Sequence, residues 1–285
     1  MTPIKRREFL MAAGLAAGAA AAPRMPRDRA SGDSDIAAPA GLRLGLASYT
    51  FRAFGVDETA AMTGRLGVKR ISLKSMHLPL EHAAAQIGAA AAKIRAAGIE
   101  PYAGGVIYMT KESEVIQAFD YAKAAGMEMI VGVPNPELLP LVETMVRRFD
   151  LKLAIHNHGP TDKLYPSPGR AYDRIRRLDR RIGVCLDAGH TQRCGIDPAA
   201  EAERVADRLL DVHIKDVTAA TADGSTVEAG RGVIDLPGFL RTLLRLKYGG
   251  TLSLEFEKDE KDPLPGAAES IGYIRGVLNV LAERR

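Results

Sequence analysis

The chain has 285 residues, a formal net charge of +4 and only two cysteines, Cys185 and Cys194. Two cysteines cannot build a disulfide framework, and no basic stripe interleaved with aromatic residues marks a nucleic-acid face, so nucleic acid is excluded as an expected partner. Past the N-terminus no stretch is long and apolar enough to cross a bilayer, so no stable membrane anchoring is expected.

Residues 1–22 read as an export signal. Lys5-Arg6-Arg7 is a basic start, Phe9 to Ala22 is rich in Ala, Gly, Leu and Met, and Ala20-Ala21-Ala22 offers small residues for cleavage. Arg6-Arg7-Glu8-Phe9-Leu10 resembles the twin-arginine (Tat) signal, which implies the Tat export machinery as a partner and a periplasmic location. Residues 23–40, rich in Pro, Ala, Asp, Arg and Ser, read as a flexible leader. Residues 41–285 remain as one catalytic domain, a size that fits a barrel of about 250 residues.

From Gly41 onward strands and helices alternate. The apolar runs Leu42–Ser48, Lys69–Leu73, Glu100–Val106, Met127–Val133, Leu151–Ile155, Ile182–Leu186, Leu210–Ile214 and Thr251–Glu255 predict strands. Between and after them, Asp57–Leu66, Leu80–Ala97, Lys111–Ala125, Pro136–Phe149, Ser167–Leu178, Asp197–Ala206, Leu236–Leu246 and Gly266–Ala282 predict helices. Gly98 and Gly126 fit the left-handed position after a helix, while Ser167-Pro168 and Asp197-Pro198 fit helix starts. Eight such pairs predict an α/β fold closed as a (β/α)8 TIM barrel. An open doubly wound sheet is the alternative, but no Gly-x-Gly-x-x-Gly follows the first strand.

Side chains alternate along a strand. One face of the sixth strand therefore carries Gly183, Cys185 and Asp187; one face of the seventh carries Asp211, His213 and Lys215; one face of the eighth carries Thr251, Ser253, Glu255 and Glu257. The fifth strand groups Lys152, Ala154, His156 and His158. Each of these faces ends in an ionisable group at the C-terminal rim, where barrel active sites lie. Buried carboxylates need a compensating cation or proton, and Asp, Glu and His together suit a divalent metal. Glu257 opens the charged run Glu257-Lys258-Asp259-Glu260-Lys261-Asp262, so Glu255 is the better ligand of the two glutamates.

Cys185-Leu186-Asp187-Ala188-Gly189-His190, Asp211-Val212-His213-Ile214-Lys215-Asp216 and Leu252-Ser253-Leu254-Glu255-Phe256-Glu257 resemble the sugar phosphate isomerase/epimerase family with its xylose isomerase-like barrel. The resemblance covers nearly all of residues 41–285 and implies metal ligands Asp187, His213 and Glu255. Where many members have Glu-Asn-His, this chain has His156-Asn157-His158, so the resemblance implies His156 as the fourth ligand in place of a carboxylate. The usual two-glutamate proton shuttle is then incomplete, and His158, His190, Glu257 and Lys74 are the candidates for moving a proton.

Ser72, Lys74 and Ser75 close the second strand and His77 follows. Lys74 is expected to stabilise a substrate oxyanion, and His77 to contact substrate. Tyr49, Phe51 and Tyr108 are expected to form a platform for a sugar ring, and Arg231, in the Gly-rich loop Glu228 to Gly232, to meet a substrate oxygen. The expected activity is isomerisation or epimerisation of a sugar through an enediolate, with Mn, Zn, Mg or Co as cofactor. Phosphosugars are scarce outside the cytoplasm, which directs attention to a free or keto-sugar. The same enolisation permits β-elimination, so a lyase acting on keto-glycosides is the alternative; a non-catalytic sugar-binding barrel is another. An endonuclease-IV-like phosphodiesterase shares the barrel but needs more metal ligands and a basic face. The sequence leaves a homo-oligomer open.

Overall fold

A computed structural model describes residues 41–283. The expected export signal and leader, residues 1–40, lie outside the described residues. The chain runs through β1 (Arg43–Ala47), α1 (Val56–Arg65), β2 (Arg70–Leu73), α2 (Ala84–Ala96), β3 (Glu100–Met109), α3 (Glu112–Ala125), β4 (Met129–Pro134) and α4 (Leu139–Phe149). It continues through β5 (Lys152–His156), α5 (Pro168–Ile175), β6 (Ile182–Asp187), α6 (Ala188–Arg193), α7 (Pro198–Arg204) and β7 (Leu209–Ile214). A short antiparallel hairpin follows, β8 (Asp216–Val217) with β9 (Thr226–Val227), then α8 (Leu236–Arg245), β10 (Thr251–Leu254) and α9 (Leu264–Glu283).

Eight parallel strands close in the order β1-β10-β7-β6-β5-β4-β3-β2. The expected TIM barrel is therefore the fold. Strands covered on both faces can be apolar throughout, and every residue of β4 and β6 is buried. Val184, Leu186, Val212, Ile214, Leu252 and Leu254 pack under the helices, and their neighbours along each strand turn to the lumen. Parallel register then sets the lumen layers: His156 lies beside Cys185, Cys185 beside Asp211, Asp187 beside His213, and His213 beside Ser253.

Local signals explain most boundaries. Gly126 ends α3 at φ 64°, its N–H donating to the Ala122 and Lys123 carbonyls. Asp197 caps α7 by accepting the Ala199 N–H. The β8–β9 hairpin was not expected, and two further elements differ from expectation. β3 extends to Met109, past Gly105, where a Cβ would come within 2.1 Å of the Val131 carbonyl, so only glycine lets β3 and β4 approach there. Helix α6, absent from the expected elements, starts directly after Asp187, whose Oδ1 accepts the His190 N–H at 2.6 Å.

Among the described residues no helix is long and apolar enough to cross a membrane. Both cysteines are free thiols.

Arg208, 4% exposed, fastens the bottom of the barrel. Its guanidinium donates to the carbonyls of Arg176, Leu178, Asp179 and Ile182 at 2.8–3.0 Å, tying the end of α5 to the start of β6. Arg208→Met removes the donors and leaves these carbonyls short of partners. It is expected to destabilise the fold by about 3 kcal/mol or more. A lower urea midpoint at unchanged slope reports it; an unchanged midpoint would show that the carbonyls find other donors.

Candidate metal centre at the barrel mouth

The ends of β5, β6, β7 and β10 bring His156, Asp187, His213 and Glu255 together, with one donor atom from each lying within 4.8 Å of all the others. All four side chains are buried. His156 Nε2 is 3.1 Å from His213 Nδ1 and 3.7 Å from Asp187 Oδ2; His213 Nδ1 is 3.4 Å from Glu255 Oε2. Two ligands on one tetrahedral zinc stand about 3.3 Å apart, so these separations are close to the edges of a coordination shell. One of these donors also lacks a hydrogen bond. Asp187 Oδ2, which faces the cluster, is buried without a hydrogen-bond partner among the described residues, a rare condition for a buried polar atom that a bound ion relieves; His156 Nδ1 and His213 Nε2, on the opposite edges of their rings from the nitrogens that face Asp187 and Glu255, are also without one. Imidazole and carboxylate donors suit Zn, Mn or Co.

Local structure holds these groups in place. Asp187 donates its N–H to Asn157 Oδ1 at 2.9 Å, Asn157 Nδ2 donates to Thr191 Oγ1, and Thr191 donates to the Asp187 carbonyl at 2.6 Å. With Oδ1 taken by the His190 N–H, only Oδ2 of Asp187 faces the cluster. Lys215 is 2% exposed and reaches in beside it. Its Nζ is 2.9 Å from Glu255 Oε2 and 3.3 Å from Asp187 Oδ2, and it also bonds Glu257. A Cβ on Gly189 would fall 2.8 Å from the Lys215 stem, so glycine in Asp187-Ala188-Gly189-His190 leaves the lysine its path.

The electrostatics follow from burial and these contacts. Burial alone would lower the Lys215 amine, but Asp187, Glu255 and Glu257 outweigh it and hold the ammonium well above its ordinary value. Burial would likewise raise Glu255, but Lys215 and His213 outweigh it and keep the carboxylate ionised. For Asp187 burial wins and raises the carboxyl despite Lys215. Burial holds His156 well below the usual imidazole range, so it is neutral and a competent ligand. Burial would lower His213, but Glu255, Asp211 and Asp187 outweigh it and raise the imidazole, so a bound cation would take the place of that proton beside Lys215.

His158 and His190 flank the four, with ring centroids 4.5 Å and 6.0 Å from that of His156. Burial and then Lys215 push His190 down to about 3. Burial also lowers His158, against the pull of Asp162. His158 Nε2 is 3.0 Å from the Tyr108 hydroxyl and its Nδ1 3.3 Å from Asp162 Oδ2. Neutral His158 with its proton on Nδ1 accepts from Tyr108, whose hydroxyl burial keeps protonated. Lys74 stands on the other flank: its Nζ lies 5.1 Å from the Tyr49 ring centre, and burial lowers its amine. In the closed strand order β5 lies four places from β1 in either direction, and β2 and β10 border β1. Lys74 and Glu257 therefore face His158 across the mouth.

Three expected substrate contacts are not gathered here. His77 is buried, with Nδ1 2.9 Å from Ser48 Oγ and Nε2 3.2 Å from the Phe51 carbonyl; both ring nitrogens are taken up in joining the loops after β1 and β2. Phe51 is fully buried, so it belongs to the core and not to a sugar platform. Arg231 is exposed and makes a paired contact with Glu269 of α9 at 2.6 and 2.8 Å, which engages its guanidinium. Its loop is ordered by Asp216, whose carboxylate accepts the N–H groups of Val217, Gly230, Gly232 and Ile234. Lys215, Asn157 and Asp162 were not among the expected site residues. Lys215 carried a signal, since it shares the inward parity of His213; the other two act through folded contacts.

Comparison with known proteins fits this architecture. The family model for the xylose isomerase-like TIM barrel matches residues 113–277. Over 153 residues the chain is 29% identical to the rhizopine catabolism protein MocC of Rhizobium meliloti, covering 48% of this chain and 46% of that protein. Over 116 residues it is 29% identical to 3-dehydroshikimate dehydratase of Pseudomonas aeruginosa, covering 38% of this chain and 18% of that enzyme. The matches thus span less than half the length of either relative. Among solved structures, L-ribulose 3-epimerase superposes with a TM-score of 0.69 at 16% identity, covering 85% of this chain and 96% of that one. An IolI protein with a bound zinc atom gives 0.68 at 17%, covering 85% and 99%. These structures share the fold, and the family-model match, which takes in more than half of the sequence, carries the assignment: the chain belongs to the xylose isomerase-like TIM barrel family.

Proposed function

We propose that this protein is a metal-dependent enzyme that enolises a free or oxidised sugar, with isomerisation or epimerisation as the outcome. The reading is carried by one observation: two imidazoles and two carboxylates, all buried, each offer a donor atom within 4.8 Å of the others at the barrel mouth. His156, Asp187, His213 and Glu255 would hold the ion. A divalent cation bound there would polarise a substrate carbonyl and the adjacent hydroxyl, lowering the pKa of the C–H between them.

The protein's own groups supply the rest. Lys215 keeps the Glu255 carboxylate ionised and holds Asp187 and Glu255 aimed inward, as a positioning residue. Lys74 offers a positive charge or an amine to an oxyanion on the β2 side of the mouth. His158, neutral and backed by Asp162, accepts a proton on the β5 side, with Tyr108 as the hydroxyl next to its basic nitrogen. Proton-handling groups on opposite flanks suit removal from one face of a substrate and return to the other, which inverts a carbon. Return to the neighbouring carbon isomerises.

Elimination is the second reading. Likeness to a dehydratase as well as to an epimerase favours it, because expulsion of a β-substituent from the same enolate needs only a different second step. Burial of His156 where the family pattern has a carboxylate favours a third reading, sugar binding without turnover.

Incubating the manganese-loaded protein with keto-sugars and keto-glycosides in deuterated water separates the three. Deuterium should replace the hydrogen next to the carbonyl, seen as loss of its NMR signal, and Lys74→Met and His158→Gln should each slow the exchange by about 100-fold or more. Signal loss with release of a leaving group identifies the lyase. No exchange across the panel contradicts enolisation and leaves the binding protein.

We also propose export to the periplasm through residues 1–22, which would bring the protein to free rather than phosphorylated sugars. Changing Arg6 and Arg7 to Lys should hold the protein in the cytoplasm; unaltered periplasmic recovery would count against the twin-arginine route.

A further inference from the structure

Beneath the four ligands lies a second donor set that shares two of them. Strand β6 turns Cys185 into the lumen one step below Asp187, and register brings it beside His156 on β5 and Asp211 on β7. His156, Cys185 and His213 each offer a donor atom within 4.8 Å of the other two, and all three are buried. The thiol is directed at Asp211 Oδ2, 3.8 Å from Sγ. His213 Nε2 points to the same oxygen, also at 3.8 Å, and has no hydrogen-bond partner. His156 Nδ1 is likewise without one. The layer below the mouth thus contains a thiol, a carboxylate and a partnerless imidazole nitrogen converging on one another.

The two sets differ in chemical softness. The upper one has two carboxylate oxygens and two imidazole nitrogens, donors that manganese, magnesium and zinc all accept. The lower one has one sulfur and two imidazoles, the kind of set that selects zinc, cobalt(II) or cadmium. His156 makes both possible, because its ring presents a nitrogen on either side, whereas a carboxylate there would enrich only the upper set.

We propose that Cys185 is a metal ligand, and that thiophilic divalent ions bind through His156, Cys185 and His213 in the lower layer while oxygen-seeking ions bind in the upper one. The inference rests on the reading of this cluster as a metal centre and adds to it what decides which ion is held. On ligation the Cys185 S–H bond breaks and a sulfur–metal bond forms; the proton passes to the Asp211 carboxylate that the thiol already faces. Tyr102, donating to Asp211 at 3.0 Å and in contact with Ser253 Oγ at 2.6 Å, holds that carboxylate in place.

Cobalt(II) titration of the chelator-stripped full chain reads the site directly, without substrate. The expected spectrum has visible ligand-field bands together with a near-ultraviolet thiolate-to-cobalt band. Cys185→Ser should abolish the near-ultraviolet band and keep visible ones. Cys194→Ser should keep both, since that thiol lies elsewhere, donating to the Pro166 carbonyl at 3.3 Å. Cadmium affinity should fall by at least about tenfold in Cys185→Ser while manganese affinity stays within about twofold. Visible bands without a thiolate band in the unaltered protein would overturn the assignment of Cys185 and leave the upper set intact. No cobalt bands at all would overturn both.

Discussion

Asp187 and Glu255 are carboxylates buried side by side at the ends of two barrel strands, and the site is arranged around the cost of keeping them there. Each would be driven to its neutral form by burial alone. Lys215 meets both and holds Glu255 ionised, yet Glu257 shares the same ammonium. Lys215 and the raised His213 imidazole are the positive groups set against three acids, and an ion bound in place of the His213 proton would add to them. The contacts that surround the cluster are directional rather than neutralising: Asn157 and the start of α6 fix Asp187 with one oxygen turned inward, and Gly189 leaves space for the lysine stem. In the function proposed above, a divalent ion completes the arrangement.

His156 changes the character of that centre. A carboxylate in its position would add negative charge and could carry protons. Neutral imidazole does neither so readily, and burial keeps it neutral. The substitution has two consequences. In the proposed reading, acid–base work would fall to groups on the rim, His158 with Tyr108 and Asp162 on one flank and Lys74 with Glu257 on the other. The donor set also becomes richer in nitrogen, and its reach extends down to Cys185. The position that departs from the family pattern thus bears on both proton transfer and metal choice.

Much of this was legible in the sequence because strands impose a period of two. Parity alone grouped Cys185 with Asp187, Asp211 with His213 and Lys215, and Ser253 with Glu255, and the folded barrel keeps those groupings. Other features depend on contacts between segments far apart in the chain. Asp187 has the sequence signature of a ligand and also caps α6, and the short helix was hidden behind the first role. Arg231 looked free in a Gly-rich loop, but Glu269 on α9 takes its guanidinium and Asp216 binds the loop backbone. His77 looked like a rim histidine until both ring nitrogens met groups from the loop after β1. No local pattern encodes such pairings.

The central claim is that four strand ends gather one divalent cation. Anomalous diffraction at the manganese edge, from crystals of the full chain grown with manganese, tests it most directly. The account predicts a peak bounded by His156 Nε2, His213 Nδ1, Asp187 Oδ2 and Glu255 Oε2. An empty map at that position, with the Lys215 ammonium alone bridging Asp187 and Glu255, would contradict it.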